Sequence, residues 1–349
     1  MAVFSNANGI GIDLGSSNLV ISLAGEGIVL REPECVLVDA ADDEEILAVG
    51  REAKGMMGRT PSGVMLLSPV VDGAVTDEKL ATEIITALAE KALGKRRPFE
   101  RARLCVTMSP GTSKVEKNAL LSALRELGVK YASVIKTPVA AMVGAGADIS
   151  AARGMLSVVI GGSMTEIAVM SMNGIVAFRS MRAGSNSLDD AIVQYIRKEK
   201  GLVIGVRTAE DLKCDLADCG MDMENPGELE EVLLRGRDAV TGRPNTVKVT
   251  AKDITAAILP KIEVIVEAVR DALANTPAEL SGDIAQTGIQ LSGGGALLHG
   301  LPELLEKVTG LPVHMSEEPQ DDVAMGACVI ASNNNLIENF VRGGALIEC

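Results

Sequence analysis

The sequence predicts an α/β protein made of two similar lobes, each with a small inserted subdomain, and with a cleft between the lobes. The main observation is an internal repeat. Residues 11–30 read GIDLGSSNLVISLAGEGIVL, and residues 158–178 read VVIGGSMTEIAVMSMNGIVAF. Each copy predicts an apolar strand, a turn of small residues, a second apolar strand and the start of a third. A length of 349 residues agrees, because it exceeds one ordinary core.

The order of elements along the chain divides it into three parts. We expect a first lobe over residues 1–150, with an irregular insertion at 32–66 that contains an acidic turn. The second lobe is expected at 151–320, with a polar, helix-rich insertion at 186–245. Residues 321–349 are predicted to form a C-terminal helix and a tail that packs back on the first lobe.

Two helices of the first lobe are predicted from their end signals. Leu80, Ile84 and Leu88 are spaced four apart in a stretch that ends at Gly94, which is typical of an amphipathic helix with a glycine cap. The next helix begins with a capping box that includes Glu116. Its inward face is predicted from the apolar spacing to be Val115, Ala119, Leu120, Leu124 and Leu127.

The composition excludes several classes of protein. A formal net charge of −14 repels a phosphate backbone, so we expect no nucleic acid partner. No apolar run reaches the ~18 to 20 residues of a membrane span, and the first residues do not resemble a signal peptide, so we expect a cytoplasmic protein. The six cysteines lack metal-site spacing; five are expected to be buried and Cys349 exposed.

The repeated turns are rich in glycine and serine. Gly15-Ser16-Ser17 in the first copy corresponds to Gly161-Gly162-Ser163 in the second. Tight turns without bulky side chains leave backbone N–H groups free, and two such turns across a cleft can hold a polyphosphate from both sides. A third glycine turn, Ser292-Gly293-Gly294-Gly295, follows a predicted strand and precedes a helix.

The order of these motifs resembles the actin/Hsp70/sugar-kinase superfamily and, within it, the MreB-like bacterial actin homologues. Residues 11–18 are similar to that family's first phosphate loop, 161–166 to its second and 292–298 to its adenosine loop. The segments GREAK at 50–54 and GVRTAEDL at 205–212 are also similar. The resemblance covers nearly the whole chain and implies an actin-like fold of two RNase H-like lobes.

The resemblance implies that ATP or ADP binds with magnesium between the lobes. Asp13 would face the magnesium through water, which suits a hard cation that prefers oxygen ligands. Glu210 and Lys213 would contact the ribose and base. The remaining cofactor-binding residues implied by the resemblance are Gly15, Ser16, Ser17, Asn18, Gly161, Gly162, Ser163, Gly293, Gly294, Gly295 and Ala296.

Three positions depart from the family pattern. Val159 stands where the family has an Asp that organises magnesium, and Met164 replaces a hydroxyl expected near the γ-phosphate. Thr137 replaces a Glu that orients or activates the attacking water. Because losing a positioned base alone usually costs about 10² to 10⁴ in rate, we expect very slow hydrolysis or none. The alternative is a slow ATPase in which Lys136, Thr165 or Glu166 compensates.

The family resemblance also implies self-assembly into filaments at the inner face of the cell membrane, where they guide cell shape together with unidentified membrane or cell-wall machinery. The basic segment that contains Arg96, Arg97 and Phe99 is a candidate membrane contact. An interpretation of equal weight is that these basic side chains neutralise the C-terminal end of the preceding helix and that Phe99 is folded inward.

The alternative function is a non-polymerising, nucleotide-dependent adaptor or chaperone-like switch. A small-molecule kinase is a poorer fit, because Val159 and Thr137 remove carboxylates that phosphoryl transfer would need.

Overall fold

The computed structural model describes residues 9–39, 45–94, 99–100, 102–227 and 231–348. The strands are β1 Gly9–Leu14, β2 Asn18–Leu23, β3 Gly27–Pro33, β4 Val36–Asp39, β5 Glu45–Val49, β6 Val64–Leu67, β7 Val70–Val71, β8 Ala74–Val75, β9 Arg103–Met108, β10 Tyr131–Lys136, β11 Met155–Ile160, β12 Thr165–Ser171, β13 Gly174–Met181, β14 Leu202–Val203, β15 Glu231–Asp238, β16 Pro244–Thr250, β17 Ile289–Ser292, β18 Val313–His314 and β19 Leu346–Glu348. The helices are α1 Arg51–Gly55, α2 Glu78–Leu93, α3 Lys114–Glu126, α4 Thr137–Gly144, α5 Ser185–Glu199, α6 Val206–Leu216, α7 Ala251–Ala274, α8 Ala278–Thr287, α9 Leu301–Thr309, α10 Asp322–Ala331 and α11 Asn334–Arg342, with a 3-10 turn at Gly294–Leu297.

The two main sheets share the same topology over five strands, and the first has one additional edge strand. The first has the order β19-β10-β9-β1-β2-β3, and the second has the order β18-β17-β11-β12-β13. In the first sheet β1 and β2 form an antiparallel hairpin, and β1 pairs with β9 in parallel. In the second sheet β11 and β12 form the matching hairpin, and β11 pairs with β17 in parallel. The predicted α/β fold of two duplicated lobes is therefore confirmed.

Each lobe carries a small extra sheet. In the first lobe β5-β4-β6 forms a three-stranded sheet with α1 beside it, within residues 36–67. In the second lobe β14-β15-β16 forms a three-stranded sheet, and α6 packs on α5 and α7 nearby. The strands of the first small sheet lie within residues 36–67, and those of the second within residues 202–250.

Helices α4 and α10 join the two lobes through a close crossing of small residues. A Cβ atom added to Gly326 would lie 1.8 Å from the carbonyl oxygen of Ala140, and one added to Gly144 would lie 1.8 Å from that of Asp322. Only glycine permits this approach of the two backbones. One buried cluster around these helices includes Ile135 of the first sheet and Ala168 of the second.

The C-terminal segment packs on the first lobe. Phe340 of α11 is fully buried in the cluster shared by the two lobes. The last strand, β19, pairs antiparallel with β10, with Leu346 opposite Ile135. This segment therefore extends the first sheet by one edge strand.

The predicted helix ends of the first lobe are confirmed, but one predicted inward residue is wrong. The Asp77 side chain caps α2 by accepting from the Leu80 N–H, and Gly94 ends the helix at φ 60°. The capping box of Ser113 and Glu116 begins α3. Val115 is 79% exposed, whereas Leu120 and Leu124 are buried.

Phe99 is buried at 2% exposure in the first-lobe core. The structure therefore has the inward-folded arrangement, and Phe99 could reach a membrane only by leaving that core. Arg96 and Arg97 lie outside the described residues, as does Cys349.

Cys214, expected to be buried, is exposed on α6. None of the helices in the described ranges combines the length and the apolar character needed to cross a bilayer.

Candidate functional site between the lobes

A cavity of about 150 Å³ lies between the two lobes. Its walls come from the ends of β1, β9 and β11 and from the turns that follow β1, β11 and β17. The predicted site residues that line it are Asp13, Gly15, Ser16, Ser17, Asn18, Thr137, Val159, Gly161, Gly162, Ser163, Met164, Gly293 and Gly294. Residues about 150 positions apart in sequence therefore meet in one cavity, as the internal repeat predicts.

The two glycine and serine turns contact each other directly across the cavity. The Ser163 hydroxyl donates to the Ser16 hydroxyl at 2.6 Å, and the Gly73 N–H donates to the same oxygen at 3.1 Å. The Ser17 hydroxyl donates to the Asn186 side chain at 3.0 Å. A Cβ atom added to Gly162 would lie 2.0 Å from the Ser17 hydroxyl oxygen. The close approach of the two loops therefore requires glycine at position 162.

Helix α5 begins beside the second glycine turn. The Ser185 N–H donates to the Gly161 carbonyl at 2.9 Å, and the Asn186 N–H donates to the Gly162 carbonyl at 2.8 Å. These bonds satisfy two of the free N–H groups at the start of the helix. They join the turn to the start of the helix and bring the positive end of the helix dipole close to the cavity, which favours an anionic ligand.

Asp13 is the next-to-last residue of β1 and lines the cavity. The Thr107 hydroxyl, from the parallel strand β9, donates to its Oδ1 atom at 2.8 Å. Burial raises the pKa of Asp13 to about 6, and the bond from Thr107 opposes part of that rise. A cation in the cavity would stabilise the charged form of this carboxylate.

Glu166 is the second carboxylate in the cavity wall and is 6% exposed. It lies on β12 directly opposite Val159 of β11 in the antiparallel register. Burial raises the pKa of Glu166 to about 7; the Ser109 and Thr137 hydroxyls oppose this rise, and the negative charge of Asp13 adds to it. Within the described part of the chain its Oε1 atom has no hydrogen-bond partner.

The three departures from the family pattern lie in or beside the same cavity. Thr137 is 9% exposed at the start of α4, and Val159 is 4% exposed in the apolar cluster between the lobes. Met164 packs toward Gly73 of the other lobe, where an added Cβ would lie 3.3 Å from the Met164 Cγ atom. The cavity wall is thus apolar or neutral at three positions where the resemblance implied polar or acidic groups.

Comparison with known proteins identifies the family. The model of the MreB/Mbl protein family matches residues 7–339. The chain therefore belongs to the MreB/Mbl family. The cell shape-determining protein Mbl of Bacillus subtilis (strain 168) is 38% identical over 327 residues, which cover 94% of this chain and 96% of that protein. The cell shape-determining protein MreB of Escherichia coli (strain K12) is 37% identical over 328 residues, 92% of each.

Solved structures of MreB5 of Spiroplasma citri share the fold. The structure bound to AMPPNP superposes with a TM-score of 0.88 at 28% identity and covers 97% of this chain and 99% of that chain. The structure bound to ADP has the same TM-score and identity and covers 98% and 100%. The predicted actin-like fold and the cytoskeletal, cell-shape interpretation are confirmed, and these findings do not favour the adaptor or chaperone-like alternative.

Two residues that the MreB resemblance assigned to the ribose and base do not line the cavity. The Lys213 ammonium lies 2.8 Å from the Asp189 carboxylate and donates to the Ser185 carbonyl at 3.2 Å. Glu210 lies 2.8 Å from the Lys54 ammonium of the first lobe. Lys213 therefore lies behind the cavity wall, and Glu210 forms an ion pair with Lys54 that connects the two small subdomains.

The adenosine loop lies only partly at the cavity. Gly293 has φ 89°, and an added Cβ would lie 2.4 Å from the Ile160 carbonyl oxygen, so the strand end requires glycine there. Gly293 and Gly294 line the cavity. Gly295 and Ala296 are buried and do not line it, and a Cβ atom added to Gly295 would lie 2.3 Å from the Ile160 Cγ2 atom.

Sequence reasoning did not assign several residues of the cavity wall. Thr107 lies near the end of the parallel strand β9 and Ser109 directly follows it, whereas Arg31 and Gln320 come from other parts of the chain. Thr107 and Ser109 could have been predicted from the sequence, because they are polar residues at the end of an otherwise apolar strand. Parallel strands end at the same edge of a sheet, so β1 and β9 present their last side chains together.

Proposed function

We propose that the chain binds ATP or ADP with magnesium in the cavity between its lobes. The observation that carries this proposal is the pair of glycine and serine turns, one from each lobe, that meet across a cavity containing Asp13. The S. citri MreB5 structures bound to AMPPNP and ADP have the same fold, which supports an adenine nucleotide as the ligand. Glu210 and Lys213 would reach the ribose and base only after the pairs with Lys54 and Asp189 rearrange.

The acidic side chains present suit magnesium held through water. Magnesium keeps several waters and is bound by one or two carboxylates together with phosphate oxygens. Asp13 offers one such carboxylate at the cavity wall. The described residues contain no group of three or more His, Cys, Asp or Glu side chains that could hold a metal ion by themselves. The metal would therefore arrive with the nucleotide, and Asp13 would orient its water shell.

We propose that hydrolysis is very slow or absent. Thr137 cannot take up a proton from water as a carboxylate does, Val159 has no oxygen to offer, and Met164 has no hydroxyl for the terminal phosphate. Phosphate release should be compared among the wild-type chain, a relative that carries Glu, Asp and Thr at these positions, and the Thr137→Glu/Val159→Asp/Met164→Thr variant. Release by the wild-type chain equal to that of the relative would refute the proposal.

We propose that the chain polymerises into filaments, as a cell-shape cytoskeletal protein. The kinship with Mbl and MreB supports this, and head-to-tail contacts between identical subunits produce open filaments. Pelleting and negative-stain microscopy with ATP, with ADP and without nucleotide test it. Filaments that appear with nucleotide are expected, whereas a chain that stays monomeric at high concentration in all three conditions would refute it.

We propose that these filaments associate with the inner face of the membrane, and with membrane or cell-wall machinery, through the basic segment that contains Arg96 and Arg97. A cationic side chain near an anionic leaflet contributes about 1 kcal/mol. The Arg96→Ser/Arg97→Ser variant should therefore co-sediment less with anionic liposomes than the wild type. The Arg235→Ser/Arg237→Ser variant, changed at a different pair of arginines, is the control. Equal co-sedimentation of both variants with the wild type would exclude this segment.

A further inference from the structure

Glu166 lies beside two of the replaced residues, Val159 and Thr137. In the antiparallel register it faces Val159, and cross-strand partners hold their Cβ atoms about 4.5 to 5.5 Å apart on the same face. Its carboxyl group also lies beside the Thr137 hydroxyl. Both neighbours line the same cavity. One carboxylate of the second lobe therefore lies between the positions where the family pattern has an Asp and a Glu.

Glu166 forms no salt bridge among the described residues, and the charge of Lys136 acts on it only weakly. Its Oε1 atom is buried without a hydrogen bond in the described part of the chain, although the side chain is 6% exposed. Asp13 acts on it as a like charge from the other lobe. Two carboxylates that repel each other in one buried space are stabilised by a bound cation.

We propose that Glu166 supplies the second carboxylate for the divalent cation of the bound nucleotide, opposite Asp13, in place of the carboxylate absent at Val159. This proposal rests on the proposed nucleotide binding. The cation and its waters would lie between Asp13 of the first lobe and Glu166 of the second. Each lobe would then contribute one carboxylate, as well as one glycine turn, to the same ligand.

Lys136 is the competing positive charge near Glu166. It ends β10 and directly precedes Thr137. Among the groups that shift the pKa of Glu166, the Lys136 charge has the smallest effect, below those of the Ser109 hydroxyl and the Asp13 charge. Burial and the charge of Lys117 lower the pKa of Lys136 itself. Lys136 therefore does not neutralise Glu166 in the way a cation inside the cavity would.

The test measures how strongly magnesium and nucleotide binding depend on each other. The Kd of fluorescent N-methylanthraniloyl-ADP is determined at pH 7.5 with excess Mg²⁺ and with EDTA, and their ratio is the coupling. The variants are Glu166→Gln, Val159→Asp and the double variant. Glu34→Gln is the matched control, because Glu34 is also a buried glutamate, at 1% exposure, and does not line the cavity.

We expect the wild type and the control to bind at least tenfold more tightly with Mg²⁺. In Glu166→Gln the coupling should fall below threefold, while the affinity in EDTA is equal or higher because one negative charge near the phosphates is gone. The double variant, with Val159→Asp added, should regain at least tenfold coupling. Wild-type coupling in a folded Glu166→Gln variant would overturn the proposal and point to Asp13 alone.

The single Val159→Asp variant decides the question if Glu166→Gln does not fold. If Glu166 already supplies the second carboxylate, the added Asp should change the coupling less than threefold. A tenfold increase would overturn the proposal. A wild type that binds nucleotide equally with Mg²⁺ and EDTA would overturn this inference alone. A wild type that binds in neither condition would overturn the proposed nucleotide binding as well.

Discussion

The buried ion pair between Lys213 and Asp189 gives the sharpest prediction about stability. Lys213 lies on α6 and Asp189 on α5, their charged atoms are 2.8 Å apart, and their side chains are only 9% and 4% exposed. Burial raises the pKa of Asp189, and Lys213 opposes that rise. The change to test is Lys213→Met, which keeps the length of the side chain and removes its charge.

The Lys213→Met variant leaves the Asp189 carboxylate buried and uncompensated. Removing one partner of a buried ion pair costs about 3 to 5 kcal/mol. It also removes the hydrogen bond to the Ser185 carbonyl, which contributes about 1.5 to 3 kcal/mol when the donor is charged and overlaps with the first cost. We therefore expect the free energy of unfolding in urea, measured at pH 7 without nucleotide, to fall by about 3 to 5 kcal/mol.

A double-mutant cycle separates the charge from the packing. Adding Asp189→Asn to Lys213→Met removes the unpaired charge and should recover at least half of the loss. The matched control is Lys248→Met, since the pair of Lys248 with Glu231 is 3.0 Å long but 70% and 51% exposed, and it should cost less than 1 kcal/mol. A loss below 1 kcal/mol for Lys213→Met, or no recovery with Asp189→Asn, would refute the reasoning.

Three further predictions concern the cleft and the first lobe. Gly162→Ala places a methyl group 2.0 Å from the facing loop and should weaken nucleotide binding at least tenfold in a fluorescence titration. The control Gly205→Ala, with no atom within 4 Å of the added carbon, should not weaken it. Equal affinities of the two variants would contradict the close contact between the loops. Burial raises the pKa of Glu34 from 4.5 to about 8, so the folded chain keeps a proton that the unfolded chain loses, and wild-type stability should fall as pH rises from 4.5 to 8 and then level off. Urea titrations at several pH values should show a smaller fall for Glu34→Gln, because burial also raises the pKa values of Asp13 and Glu166, which this variant keeps. Relative to the wild type, the variant gains up to roughly 5 kcal/mol of stability above pH 8, and parallel pH curves would contradict this. Lys54→Ala breaks a half-exposed pair with Glu210 and should change the unfolding free energy by less than 1 kcal/mol, and a larger loss would show that this pair holds the lobes together.

The sequence alone determined the duplicated fold, because the information for it is local and repeated. Alternating apolar residues, glycine turns and helix caps recur in the two halves, and five strands have the same order in both main sheets. The glycine turns could also be assigned to one cleft, since matching turns of two duplicated lobes occupy equivalent positions. The same local signals predicted the ends of α2 and the capping box of α3.

Only the tertiary structure decided which side chains face the cavity and which have partners elsewhere. Lys213 and Glu210 lie one helical turn apart, but their contacts come from Asp189 and from Lys54 of the other lobe. Phe99 is in a basic segment, yet its ring lies in the first-lobe core. The partners of a side chain are set by segments far away in sequence, and spacing within one segment carries no information about them. For the same reason, the position of Glu166 opposite Val159 became apparent only once the strand register was known.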